Sequence, residues 1–83
     1  MERIDSKSCD ELIEILSYQL KSEELGLSTL TEKNIKTIMS MIEELKKIES
    51  TSVIGVYKQI VFHTEYTVYI NEATQRLIGS IEV

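Results

Sequence analysis

Two residue types that often act as nucleophiles or metal ligands, cysteine and histidine, each occur once in this sequence. Cys9 stands at the predicted start of a helix, where the helix dipole can lower the pKa of a thiol and favour the reactive thiolate. It also lies three and four positions before Leu12 and Ile13, on an apolar helical stripe where a cysteine acts as a small, inert core residue. We therefore predict that Cys9 is buried and not catalytic.

The remaining polar residues also fail to form a recognisable chemical site. His63 would need Cys9 and distant carboxylates, at no spacing typical of zinc, to complete a metal site. The adjacent pairs Glu23–Glu24 and Glu43–Glu44 fall on predicted polar helix faces or ends, where they lack the cleft that acid–base catalysis requires. The sequence predicts no catalytic residue, no metal site and no cofactor.

Composition and charge restrict the function further. The 83 residues fit a single domain spanning residues 1–83, and their 42% hydrophobic content suffices for one core. The net charge of −5, with scattered basic residues, argues against nucleic-acid binding, which needs a basic surface to displace counterions. The lone cysteine and the lack of a signal-peptide pattern or long apolar run predict a cytoplasmic protein without a membrane segment.

Helical periodicity in the first half predicts two helices. The first is predicted over about residues 9–25, beginning at a capping box formed by Ser8 and Glu11. Gly26 suits the left-handed position after the end of that helix. The second helix is predicted over about residues 32–49.

The second helix has two candidate N-caps, Thr31 and the rival Thr29. Its apolar residues Ile38, Ile42 and Leu45 are expected to pack against a sheet. The connection between the two helices is about five residues long, which favours an antiparallel helical hairpin.

β-branched and aromatic residues dominate the second half of the chain. Three antiparallel strands are predicted over about residues 53–62, 65–71 and 76–83. The predicted fold class is therefore α+β with the order ααβββ, an antiparallel helical hairpin followed by a three-stranded antiparallel sheet. The turn after the first strand lacks glycine, proline and asparagine, so a long bent strand or a turn displaced toward Lys58 is the alternative.

The last two predicted strands form a hairpin around a loop from Asn71 to Gln75. The segment Val68–Ile81, VYINEATQRLIGSI, resembles the hairpin of the FlaG family of flagellar proteins, in which a valine-rich strand meets an acidic turn containing threonine. That family's pattern continues through a proline-containing step into a further helix, whereas the sequence here stops at Val83.

One surface of the predicted sheet is a candidate for binding a partner. If the strands alternate as predicted, Tyr57, Val61, Tyr69 and Ile78 point away from the helices and form a candidate protein interface, because tyrosine is favoured at interface cores. The alternative is that these are ordinary scattered surface hydrophobes. The last strand also ends the sequence with an uncovered edge, and pairing this edge or stacking this face gives a homodimer.

These patterns predict a small non-enzymatic protein–protein interaction module, a regulator or inhibitor that self-associates or docks through its sheet. One alternative is a nucleic-acid-associated regulator that uses the second helix, although Glu32 and Glu43 would then face phosphates. The other is an acidic inhibitor that mimics nucleic acid, although lysines interrupt its glutamates.

Overall fold

The chain has an α+β fold in which four antiparallel strands form one sheet and two helices pack against one face of it. The computed structural model describes residues 1–22 and 26–83. In chain order the elements are β1 (Glu2–Ser8), α1 (Cys9–Lys21), α2 (Thr29–Ile48), β2 (Val53–Val61), β3 (Thr64–Asn71) and β4 (Arg76–Glu82). The strands are arranged β1-β2-β3-β4, so β1 and β4 form the two edges.

The predicted order ααβββ is wrong, because a strand precedes the helices and the sheet has four strands. β1 has the sequence ERIDSKS, in which Ile4 is the single large hydrophobic residue. It therefore lacks the apolar alternation from which strands are predicted. It forms because its backbone pairs antiparallel with β2, for example with Lys7 opposite Ile54.

The start of α1 is confirmed. The hydroxyl of Ser8 accepts a hydrogen bond from the Glu11 N–H at 3.2 Å, and the Glu11 carboxylate accepts one from the Ser8 N–H at 3.1 Å. The helix ends at Lys21, before the predicted residue 25. The last predicted residues, 23–25, lie outside the described residues. Gly26 has the left-handed φ of 55°, but the C-cap of α1 is Ser22, so the prediction that Gly26 directly follows the helix is wrong.

The second helix begins earlier than predicted, at Thr29. Its N-cap is neither Thr31 nor Thr29 but Ser28, whose hydroxyl accepts a hydrogen bond from the Thr31 N–H at 3.1 Å. Serine is at least as good an N-cap as threonine, so this start agrees with intrinsic preference. Neither α1 nor α2, the helices in the described ranges, is long and apolar enough to cross a membrane.

The core lies between the two helices and one face of the sheet. The predicted packing of α2 is confirmed, since Ile38 and Ile42 are buried in the core and Leu45 packs against it. Cys9 is also a core residue, 1% exposed, as its spacing predicts. The buried cluster consists of Cys9, Leu12, Leu16, Ile35, Ile38, Ile42, Ile54, Val56, Tyr69 and Ile81.

Two tight turns connect the last three strands. The β2–β3 turn consists of Phe62 and His63, with φ of 48° and 67°, so β2 ends one residue before the predicted residue 62. Two successive left-handed residues are typical of a type I′ hairpin turn, which usually takes asparagine or glycine. The predicted β3–β4 loop is confirmed: the Gln75 N–H donates to the Asn71 carbonyl at 2.7 Å, and the Asn71 side chain accepts from the Ala73 N–H at 3.1 Å.

Candidate protein interface

The four residues of the predicted interface lie on two different faces of the sheet. Tyr57 and Val61 share the open face, opposite the helices, because they alternate along β2 with the core residue Val56. Tyr69 is 4% exposed within the core, and Ile78 packs against the same core. The predicted outward orientation is therefore wrong for Tyr69 and Ile78.

Strand register explains this difference. Tyr69 pairs directly with Val56, so the two side chains share the helix-covered face. Ile78 lies beside a β-bulge, where the pairing between β3 and β4 shifts next to Tyr69. A bulge adds one residue to a strand and changes its alternation, which a sequence pattern does not reveal. Burial raises the pKa of Tyr69 above its usual value.

The open face of the sheet is partly closed by the chain's own side chains. The Glu72 carboxylate accepts hydrogen bonds from Arg3 at 3.0 Å and from the Tyr57 hydroxyl at 3.5 Å. The bond and charge of Glu72 raise the pKa of Arg3. On the same face Val68 and Ile70 are only 3% and 8% exposed. Neither described helix covers this face, and its exposed apolar residues, Val53 and Val61 of β2 and Leu77 of β4, lie toward its margins.

A more open apolar surface lies where α2 runs beside the edge strand β4. A groove of about 960 Å³ extends between the C-terminal half of α2 and the start of β4. We call it the β4 groove, and the large apolar residues that line it are Met41, Leu45, Ile48, Leu77 and Ile78. Met41, Ile48 and Leu77 are 44%, 83% and 61% exposed. Apolar side chains grouped in this way at a surface often mark an interaction site.

The groove depends on how closely α2 approaches β4 at Gly79. A Cβ atom built on Gly79 would lie 2.5 Å from Cγ1 of the buried Ile38, so only glycine lets the helix rest on the strand at this distance. The neighbouring bulge interrupts the regular alternation of β4. Leu77 lies opposite Ile70 of the open face and Ile78 packs against the core, so the two side chains reach the groove from different faces of this edge strand.

Charged residues lie around the groove and at both ends of β4. Glu44 and Glu49 of α2 and Arg76 of β4 contribute to the groove lining. β4 begins at Arg76 and ends at Glu82. The ion pairs formed among the described residues include neither Arg76 nor Glu82. Within residues 1–22 and 26–83, both charges thus lack an ion-pair partner.

The residues singled out for chemistry are not brought together. The Cys9 thiol is buried 3.9 Å from the Ser52 carbonyl oxygen, and burial, with the nearby charge of Asp10, raises its pKa. A neutral, enclosed thiol is a poor nucleophile. His63 lies in the exposed turn after the end of β2, whereas Cys9 follows Ser8, which pairs with the start of β2 at Val53.

In the described part of the chain, the carboxylates likewise form no chemical site. Glu43 and Glu44 are exposed on α2, and the pair Glu23–Glu24 lies outside the described residues. Within residues 1–22 and 26–83, no group of three or more histidine, cysteine, aspartate or glutamate side chains is placed to hold a metal ion.

Sequence analysis missed two sets of exposed apolar residues. One is the tip of the β2–β3 hairpin, where Phe62 is 95% exposed. This turn was missed because it contains none of the residues that usually mark a hairpin. The other is the pair Met41 and Ile48 on α2. These two are seven residues apart and so share one side of the helix, a spacing that could have indicated a second apolar face.

No protein-family model, curated protein or solved structure matches this chain. The resemblance of Val68–Ile81 to the FlaG hairpin therefore extends no further than the local hairpin of β3 and β4. The functional interpretation therefore rests on the geometry of the described residues.

Proposed function

We propose that this protein is a small, non-enzymatic interaction module that binds an extended segment of another protein chain along the β4 groove and the adjoining edge of β4. The observation that carries the proposal is the coincidence, at one edge of the sheet, of an uncovered strand and a group of exposed apolar side chains. Edge strands present unpaired backbone groups and bind extended segments by strand addition. The groove adds the apolar contacts from which such interfaces gain most of their affinity.

The backbone of β4 supports strand addition. The Val83 N–H donates to the Glu65 carbonyl at 3.0 Å. In an antiparallel ladder, residues bonded to the neighbouring strand alternate with residues whose backbone groups point away from it. Ser80 and Glu82 therefore direct their N–H and C=O groups away from β3, toward the free edge. An incoming extended segment can pair with these groups.

The two edge strands of the sheet differ in how well they are protected against pairing with a strand of another chain. β1 carries four charged residues among its seven, ERIDSKS, together with a bulge between Arg3 and Asp5. Charged residues and bulges are the devices by which proteins keep an edge strand from pairing. β4 carries charges only at its two ends, in RLIGSIE. The β4 edge is thus the less protected of the two.

We place this module in the cytoplasm. The single cysteine, Cys9, is free and buried, and an unpaired thiol is the usual state in a reducing compartment. The net charge of −5 favours a protein partner over nucleic acid.

A selection of peptides from a random library on the immobilised protein tests this function. We expect the selected peptides to be extended and apolar and to bind the wild-type protein. They should lose binding to Leu77→Glu and Met41→Glu, because each substitution places a charge in the groove. The matched control is Ile15→Glu, since Ile15 is an exposed residue of α1 outside the groove.

Circular dichroism and urea denaturation first establish that all three variants fold. The proposal is contradicted if no peptide is selected, or if the selected peptides bind Leu77→Glu as tightly as wild type.

A further inference from the structure

We propose further that the protein binds a small, uncharged ligand, with an apolar body and one polar head, in a cavity between its two helices and the helix-covered face of the sheet. The cavity lies where α1 ends and α2 begins, above β3 and the end of β4, and we call it the Tyr69 cavity. Its volume is about 350 Å³, which is within the range of small-molecule sites. It is separate from the β4 groove, since the two share no lining residue.

The floor of the Tyr69 cavity is apolar and belongs to the core. Ile35 of α2 and Ile81 of β4 are buried there, and Leu27, which precedes α2, packs against the same core. Water gains few hydrogen bonds against such a floor. An apolar ligand body that displaces this water therefore gains affinity from the hydrophobic effect.

The polar contact for the ligand is the hydroxyl group of Tyr69. Tyr69 is 4% exposed, and a buried tyrosine hydroxyl usually has a hydrogen-bond partner. Within residues 1–22 and 26–83, this hydroxyl makes no hydrogen bond. Every fully enclosed side-chain oxygen or nitrogen in these ranges does have a partner, so the Tyr69 hydroxyl must open onto free space, and Tyr69 lines the cavity.

The protonation state of Tyr69 suits a neutral acceptor on the ligand. Burial raises the pKa of Tyr69, so the hydroxyl stays protonated at neutral pH. A protonated phenol donates one hydrogen bond and can also accept one. An alcohol or carbonyl oxygen at the head of the ligand would therefore complete its hydrogen bonding.

The orientation of the strand residues argues against a charged ligand. Among the described residues that border the cavity, Glu82 alone is charged. It pairs with Tyr66, whereas the cavity residues Thr67 and Ile81 pair with each other one step along the same strands. Successive side chains point to opposite faces, so the Glu82 carboxylate lies on the open face, away from the cavity. A charged ligand would then be buried without a counter-charge, at a large cost.

Three probes with the same apolar body test the class of ligand. Hexan-1-ol has a neutral head, hexanoate a negative one and hexylamine a positive one. In backbone amide NMR spectra, we expect hexan-1-ol to shift the amides of Ile35, Ile81 and Thr67–Tyr69, with a dissociation constant on the order of millimolar. Each charged probe should bind at least about tenfold more weakly.

The substitution Tyr69→Phe removes only the hydroxyl group and should raise the dissociation constant of hexan-1-ol about fivefold. The urea midpoint of the free protein should not fall, because no described residue bonds to this hydroxyl, and this separates ligand binding from a structural role. The matched control is Tyr57→Phe, whose hydroxyl bonds to Glu72 on the open face, and it should leave the dissociation constant unchanged.

Four results would overturn the ligand site. They are no shifts up to the solubility limit of hexan-1-ol, shifts centred on Met41–Ile48 beside the β4 groove, charged probes that bind as tightly as hexan-1-ol, and a Tyr69→Phe variant that binds it as tightly as wild type. Peptide binding along β4 is tested separately, so the failure of either proposal leaves the other standing.

Discussion

Gly79 has no side chain, and this allows α2 to rest on the edge strand. A Cβ atom at this position would come within 2.5 Å of Ile38 Cγ1, a branch atom of a side chain that is 2% exposed. The neighbour cannot move aside easily, since it is enclosed by the core. The spacing of α2 and β4, and with it the shape of the β4 groove, depends on this one residue.

Replacing Gly79 with alanine is expected to lower the free energy of unfolding by about 1–3 kcal/mol, the usual cost of overpacking. The control is Gly55→Ala, where the added methyl group meets the ends of the Glu72 and Tyr57 side chains on the open face. Because both side-chain ends border solvent and can shift, at the cost of the exposed Arg3–Glu72 ion pair, the control should cost less. Urea denaturation of both variants measures the difference, and equal losses would contradict the role of the Ile38 contact.

Cys9 is expected to react slowly with a thiol reagent in the native protein and quickly in denaturant. The thiol is 1% exposed and burial raises its pKa, so little accessible thiolate is present near neutral pH. Labelling followed by mass spectrometry gives both rates. Rapid labelling of the native protein would show that Cys9 is not held in the core.

At the scale of the elements, the sequence predicted the helix caps and turns that depend on hydrogen bonds between nearby residues. The capping box of Ser8 and Glu11 and the Asn71 turn were both predicted, because each uses hydrogen bonds within a few residues. β1 was not predicted, since its polar sequence has no strand pattern and its pairing partner, β2, lies beyond both helices. Its structure is determined by backbone pairing with a distant segment.

The substitution Ile42→Ala is expected to lower the free energy of unfolding by about 2–5 kcal/mol, through lost burial and the cavity left behind. Ile42 is fully buried between α2 and the sheet. Met41→Ala, the neighbouring substitution on the exposed side of the helix, serves as control and should cost much less. Urea denaturation that finds the same midpoint for Ile42→Ala and wild type would contradict the assigned buried face of α2.

The capping box predicts a pH effect on stability. The Ser8 N–H holds the pKa of Glu11 below its usual value of 4.5. Because the folded pKa is lowered, this contribution is fully present above pH 4.5 and is lost as the pH falls through the folded value. We expect Glu11→Gln, which keeps the hydrogen bond without titrating, to lose less stability on acidification than wild type. Urea midpoints measured at neutral and acidic pH check this, and identical pH profiles would contradict it.

At the scale of the whole molecule, the location of the interface could not be predicted from alternation alone. Tyr69 and Ile78 turned out to face the core because strand register and a bulge, which the sequence pattern does not show, decide their orientation. Ile48 of α2 is 83% exposed, because no described residue covers that side of the last helical turn. The exposed apolar side chains at the β4 edge are brought together only by the packing of α2 beside β4, which alternation does not reveal.

The most direct test of docking along β4 is a titration of the wild-type protein with a selected extended peptide, followed by backbone amide NMR spectra. As the peptide is added, we expect the largest chemical-shift changes at Arg76–Glu82 and at Met41–Ile48 of α2. Amides around Tyr57 and Val61 on the open face should change little. Shift changes centred on the open face or on the Phe62 turn would contradict binding along the β4 edge.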